Sequence, residues 1–526
     1  MLKAAFFLLA VVSPHSVAPA QARLARSAAP PSLVVLITID QLRGDYLDRF
    51  GSQLTGGLAR LVRGGAWFTN AHHDHAITET APGHATLLSG RFPRSTGITA
   101  NRAGVFDTSA RLLDTPDQPG ASPHQFRGTT LIDWLRARDA RSRAFSVSMK
   151  DRGAILPIGR LREQVYWYVP TGRFTTSTYY ADSLPSWVKR FNNRRLPQSF
   201  AGRSWVPLLP DSAYRERDSV HFENRGANVV FPHRVSSDTA VAASEVRVTP
   251  WMDDIVLAFA VEGLRELSLG KGRHTDVLAV SLSATDIVGH SYGPDSKEIH
   301  DQMLRLDRAL GSFLDSVYKS RDPSSVVVIL TSDHGVGTIP ELAAERLKPA
   351  PARVNLSPAV ARLRASLREA KVDTLAIAVD QQVVTANRAV FGKSALTADA
   401  ALAAFARDVR AMPGIARVDR FADLAADTAT DPTARRWMHQ FREAADAVEL
   451  VITQTPMSLW STIPASHGSP YDYDTHVPLI FYGSAFRPGR YPEFVRTVDL
   501  APTIAVAVGL KPPERLDGVI LKRALK

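Results

Sequence analysis

The sequence predicts an α/β fold, a doubly wound and mostly parallel sheet with helices on both faces. Three observations predict it: short β-branched apolar runs that end in polar residues, helical stretches between them, and a globular composition. The chain has 526 residues, 45% hydrophobic and 22% charged. That balance excludes a disordered polymer, a collagen and a polytopic membrane protein. The length suits one large α/β domain with insertions.

The candidate strands are Leu33-Val-Val-Leu-Ile-Thr-Ile-Asp40, Arg143 to Lys150, Asp276 to Leu282, Ser325 to Thr331 and Pro478 to Tyr482. Continuous apolar runs of this length fit strands buried on both faces of a parallel sheet. Helical patterns lie between them at Thr130 to Arg138, Met252 to Leu269 and His300 to Tyr318. Such alternation is the mark of a doubly wound sheet. Residues 166–248, rich in aromatics, Arg and turn residues, read as a long insertion over one face. Residues 350–449 carry their own strand and helix signals, at Leu375 to Val379 and Thr397 to Arg410, and read as a small α+β cap.

Residues 1–22 read as a secretory signal peptide: Lys3, an apolar run from Ala4 to Val12, and Ala20-Gln21-Ala22 as a small-x-small cleavage site. The run is shorter than the ~20 residues of a membrane-spanning helix. The expectation is therefore a periplasmic or secreted protein, mature over 23–526, with no membrane anchor. Cys is absent, which removes thiolate metal sites and Cys nucleophiles. The net charge is +11, but Arg and Lys are scattered and no aromatic-basic module appears, so nucleic acid is not expected as the main partner.

In open parallel sheets, ligands bind beyond the carboxyl ends of the strands. Asp40, Asp286 with His290 four residues on, Asp333-His334 and His467 all fall at or near strand ends. Three carboxylates and three imidazoles suit Zn²⁺ ahead of Mn²⁺, Mg²⁺ or Ca²⁺. Six such groups exceed one tetrahedral catalytic site and suit two metals sharing a substrate. Thr80, in Thr78-Glu-Thr80-Ala-Pro82-Gly-His84, opens a helical turn where free backbone N–H groups can meet a phosphoryl group. A Thr hydroxyl needs a metal or base to become a nucleophile. Lys150 and Arg152, two apart at a strand end, are cationic donors suited to the third non-bridging oxygen that a phosphate monoester has and a diester lacks. Asn101 is a neutral donor for the same group.

These stretches, with Gly97-Ile-Thr-Ala-Asn101, Lys150-Asp-Arg152-Gly-Ala-Ile-Leu-Pro, Asp286-Ile-Val-Gly-His290, Ser-Asp333-His334-Gly, Ser-His467-Gly-Ser-Pro and Thr497-Val-Asp-Leu-Ala-Pro-Thr-Ile, resemble the alkaline phosphatase superfamily. The closer resemblance is to its Thr-nucleophile, phosphate-irrepressible (PafA-type) phosphatases. It implies a three-layer αβα sandwich with two Zn²⁺ per chain. Asp40, Thr80, Asp333 and His334 would surround one metal, and Asp286, His290 and His467 the other. It implies hydrolysis of small-molecule phosphate monoesters through a phosphothreonine, with Asn101, Lys150 and Arg152 on the phosphoryl oxygens. His476 competes with His467 for the last ligand, and the family's His-Gly pattern favours His467. His72, His73 and His75 match no ligand motif and read as structural. A nucleotide pyrophosphatase/phosphodiesterase of the same superfamily is the nearest alternative. A non-catalytic exported protein that binds metal or phosphate is a remote one.

Overall fold

The computed structural model describes residue 1, residues 30–113, residue 115 and residues 117–526; the signal peptide expected over residues 1–22 lies outside these apart from Met1. In chain order its main elements begin with β1 (Leu33–Ile39), β2 (Ala66–His72), α1 (Thr80–Leu87), α2 (Leu131–Arg138) and β3 (Ala144–Ser148). Then come α3 (Asp151–Ile155), β4 (Gln164–Val169), β5 (Arg173–Thr175), α4 (Trp251–Glu266), β6 (Asp276–Leu282) and α5 (Ala284–Tyr292). The 24-residue α6 (Lys297–Ser320) leads into β7 (Val326–Thr331). A smaller unit follows, with α7 (Ser357–Glu369), β8 (Ile377–Asp380), β9 (Val383–Ala386), α8 (Ala398–Arg410), β10 (Ile415–Arg420) and β11 (Val448–Gln454). The chain closes with β12 (His476–Gly483), β13 (Gly489–Arg496) and α9 (Leu500–Ala507).

Nine strands form the central sheet in the order β13-β2-β12-β7-β1-β6-β3-β4-β5. Within β1, Leu33, Val35 and Ile37 join a core with α4 and α6, while Val34 and Leu36 join a second core with α1, α2 and α9. Both faces of the strand are thus covered, and this is why its sequence shows no polar alternation. Pairing between β1 and β6 and between β1 and β7 is parallel and in step, Leu33 opposite Asp276 and Val326. Their C-terminal ends therefore lie side by side.

One expectation is corrected. The strand Pro478 to Tyr482 is not parallel: β12 runs antiparallel to both β7 and β2. A strand buried on both faces carries no sequence signal for its direction. The reversal matters to function, because residues just before an antiparallel strand arrive at the rim where the parallel strands end. His467 reaches that rim for this reason.

Residues 166–248 begin inside β4 of the sheet and then run over α4 and α6. The Phe174 ring stacks on Phe259 of α4, centroids 4.1 Å apart. Asp301 of α6 accepts from Trp205 Nε1 and Tyr214 OH, both at 2.6 Å. Strands β8-β9-β11-β10 form a separate antiparallel sheet, which encloses a core of its own with α7 and α8. It meets the main body where Val383, Phe441 and Val451 pack on Ala76 and Ile77, on the loop that leads to Thr80. Among the described residues, no helix is long and apolar enough to cross a membrane.

Candidate active site

The in-step strand ends deliver the acidic groups. Asp40 follows β1, Asp333 and His334 follow β7, and Asp286 lies in the first turn of α5; all four are buried. Asp253 of α4 fixes the start of α5 by accepting the Ala284 N–H at 3.0 Å, and Gln302 of α6 holds its other oxygen at 2.9 Å. The i,i+4 spacing on α5 brings His290 Nε2 to 3.2 Å from Asp286 Oδ1, and His467 Nε2 lies 3.8 Å from the same oxygen. The His467 loop is tied down by Asp474, which accepts from Ser469 N and Oγ at 2.8 and 2.6 Å.

Each of the three imidazoles turns its Nδ1 to a backbone carbonyl. His290 meets Ala465 O at 2.8 Å, His334 meets Gly335 O at 3.0 Å and His467 meets Thr78 O at 2.7 Å. An Nδ1–H donated to a carbonyl leaves the Nε2 lone pair free, the arrangement that presents imidazole to a metal. The Nε2 atoms face carboxylates. In two groups the ligand atoms all lie within 4.8 Å of one another: Asp286 with His290 and His467, and Asp40 with Asp286 and His334. Asp286 belongs to both. Asp333 stands slightly apart, with Oδ2 3.7 Å from His334 Nε2 and 3.1 Å from His84 Nδ1. His476 is not in either group; its Nε2 meets Thr69 O at 2.8 Å and its ring stacks on His72.

The donor set fits divalent metal. Asp40 Oδ1 and His334 Nε2 are buried without a hydrogen-bond partner, a costly state for a polar atom that a cation would relieve. Burial, together with the Asp286 and Asp333 charges, pushes the Asp40 carboxyl well above the usual range. Burial acts against ionisation of Asp286 too, but Lys150 and His290 hold it well below that range. Burial beside His334 and His290 drives His467 well down, so it stands neutral with its lone pair available.

Thr80 opens α1 and is buried. Asn101 accepts the Ala81 N–H at 2.9 Å through Oδ1, which leaves its amide NH₂ free to donate. The strand that was expected to carry Lys150 ends at Ser148, and Lys150 instead caps the short α3. Its ammonium is buried, 2.6 Å from both Asp40 Oδ2 and Asp286 Oδ2 and 3.3 Å from Thr80 Oγ1. These carboxylates raise its pKa against the effect of burial. Arg152 is half-buried with an unpartnered Nε, its nearest carboxylate Asp151 at 3.5 Å. A cavity of about 470 Å³ opens beside Asn101, with Glu79, Gln382, Val383 and Phe441 in its walls.

Some residues at the site escaped the sequence reading. His84 lies between Thr80 O (2.9 Å) and Asp333, with its Nε2 on Ser281 Oγ at 2.9 Å. Gln41 donates from Nε2 to Asp286 Oδ1 at 2.9 Å and from its backbone to Asp333 Oδ1 at 3.2 Å. His84 sits within the Thr80 motif and Gln41 directly follows Asp40; proximity to those residues was the signal available.

A family model described as type I phosphodiesterase / nucleotide pyrophosphatase matches residues 34–429. The chain belongs to this family. Relatives that match along nearly their whole length include alkaline phosphatase PafA of Elizabethkingia meningoseptica, 29% identical over 93% of each chain. Alkaline phosphatase PhoK of a Sphingomonas species is 32% identical over 94% of this chain and 91% of its own. The crystal structure of wild-type PafA matches with a TM-score of 0.86 at 27% identity, over 95% of this chain and 100% of that one. The fold is thus that of the PafA-type alkaline phosphatases. A second PafA structure carries substitutions at a threonine, an asparagine, a lysine and an arginine. Their spacing equals that of Thr80 with Asn101 and of Lys150 with Arg152.

Proposed function

We propose that this protein is an exported, zinc-dependent phosphate monoester hydrolase that works through a phosphothreonine at Thr80. The observation that carries the reading is the convergence of Thr80 Oγ1, the Lys150 ammonium and two groups of carboxylate and imidazole ligand atoms at one sheet rim. Likeness to the alkaline phosphatases PafA and PhoK over nearly the whole chain supports it.

Asp40, Thr80, Asp333 and His334 would hold one zinc, and Asp286, His290 and His467 the other. Zinc, when bound, supplies the positive charge that makes a Thr hydroxyl or a water acidic enough to act near neutral pH. Thr80 Oγ1 attacks phosphorus as the ester P–O bond breaks, and the leaving oxygen departs as the alcohol once it takes a proton. Water then cleaves the phosphothreonine, releasing inorganic phosphate and restoring the hydroxyl. Lys150, within reach of Thr80 Oγ1, and Arg152, with spare N–H capacity, donate to the phosphoryl oxygens that carry charge as the bond breaks. The free amide of Asn101 donates alongside them. The cavity beside Asn101 gives the leaving group room under the β8–β11 unit, which acts as the cap. Export rests on the leader pattern of residues 1–22.

The description of the family model favours a second reading, a diesterase. The ratio of kcat/KM for p-nitrophenyl phosphate to that for bis-p-nitrophenyl phosphate separates the two. Monoester preference is expected, and a diester preference of about tenfold, some 1.4 kcal/mol in transition-state binding, overturns it.

A further inference from the structure

Gln41 occupies an unusual position. It directly follows Asp40, is completely buried, and has φ 68, the left-handed region that disfavours any residue bearing a Cβ. That turn points its backbone N–H at Asp333 Oδ1 (3.2 Å) while the side-chain amide reaches Asp286 Oδ1 (2.9 Å). One residue thus grips a carboxylate from the strand end of β7 and the carboxylate of α5 shared by both ligand groups. The side chain fits because residue 289 of α5 is glycine. A Cβ there would lie 1.9 Å from Gln41 Oε1, and the three nearest atoms it would meet all belong to Gln41.

We propose that Gln41 is a positioning residue for the two cations: by donating to Asp286 and Asp333 it fixes which carboxylate lone pairs face the metals, and Gly289 is the space that lets it do so. The inference rests on the two-zinc reading above. A carboxylate is free to rotate about its Cβ–Cγ bond, and an N–H held on one lone pair of Oδ1 selects the rotamer in which the others face His290 and Lys150.

The test measures zinc affinity by chelator competition on the full-length protein, stripped and reloaded, for wild type, Gln41→Met, Gln41→Ala, Gly289→Ala and the double variant Gln41→Ala/Gly289→Ala. Gln41→Met keeps the volume and loses the side-chain donor. It and Gly289→Ala, which displaces the amide, should each weaken zinc binding by about 10–100-fold. The double variant should bind within about threefold of Gln41→Ala alone, because the added methyl then meets no amide. Wild-type affinity in Gln41→Met would mean that the side chain only fills space, and losses that multiply in the double variant would sever Gly289 from Gln41; either result overturns the proposal. If wild type itself takes up no zinc, the two-zinc reading falls and this inference with it.

Discussion

Two sets of three histidines lie close to the same sheet rim, and their nitrogens are used differently. His72 spends both, on Thr475 Oγ1 (3.0 Å) and Asn70 Oδ1 (2.9 Å), and His73 does likewise, on Ser332 O (2.8 Å) and Thr497 Oγ1 (3.0 Å). His75 keeps both nitrogens free but stands edge-on to His73, and it enters neither group of ligand atoms. His290, His334 and His467 each spend one nitrogen on a backbone carbonyl and turn the other toward a carboxylate. Clustering of histidines in the sequence therefore says little. What distinguishes a ligand here is a ring fixed by one hydrogen bond to a backbone carbonyl, with its remaining lone pair turned toward a carboxylate.

The largest expected effect concerns Thr80, beside the ligand histidines and not the structural ones. Thr80→Ala should lower monoesterase kcat/KM by about 10³-fold or more while leaving bound zinc largely in place, since Asp40, Asp333 and His334 would still hold that metal. Near wild-type turnover would remove Thr80 from the reaction. Next, Lys150→Ala with Arg152→Ala should lower monoester kcat/KM by about 10²-fold or more and diester kcat/KM by less. Equal losses on both substrates would mean that these cations serve the carboxylate cluster and not the phosphoryl group.

The histidine comparison itself can be broken by paired variants. His467→Ala should cost one zinc per chain by metal analysis, whereas His73→Gln should keep both. A smaller effect is expected from pH. Burial pushes His73 down to about 4 from a reference of 6.5. As pH falls through this window the unfolded chain takes up a proton that the folded protein refuses, so stability drops with falling pH by up to about 1.4 kcal/mol per unit. In urea titrations of metal-free protein between pH 7 and pH 5, His73→Gln should show the shallower loss. Identical slopes would assign the effect to other groups.

Much of the sheet was legible because strands covered on both faces must be mostly apolar without alternation, and β1, β6 and β7 are. The direction of β12 was not, since burial on both faces looks the same either way round. The six carboxylate and imidazole positions were legible from strand ends, and the structure gathers them at one rim. Lys150 was read as a cationic donor at a strand end; it lies just past the end of β3, before α3, with its ammonium among the carboxylates and 3.3 Å from Thr80 Oγ1. Gln41, His84 and Asp253 were illegible in kind: a lone polar residue after a strand or on a helix has many uses, and only contacts 31 to 245 residues away in sequence reveal which one applies.

The most direct test of the central claim is a zinc titration of chelator-stripped protein, followed by p-nitrophenyl phosphate hydrolysis. Activity should be absent without metal and saturate at two zinc per chain. Turnover that persists in metal-free protein, or that saturates at a single zinc, would contradict a two-metal rim built on Asp40, Asp286 and their three histidines.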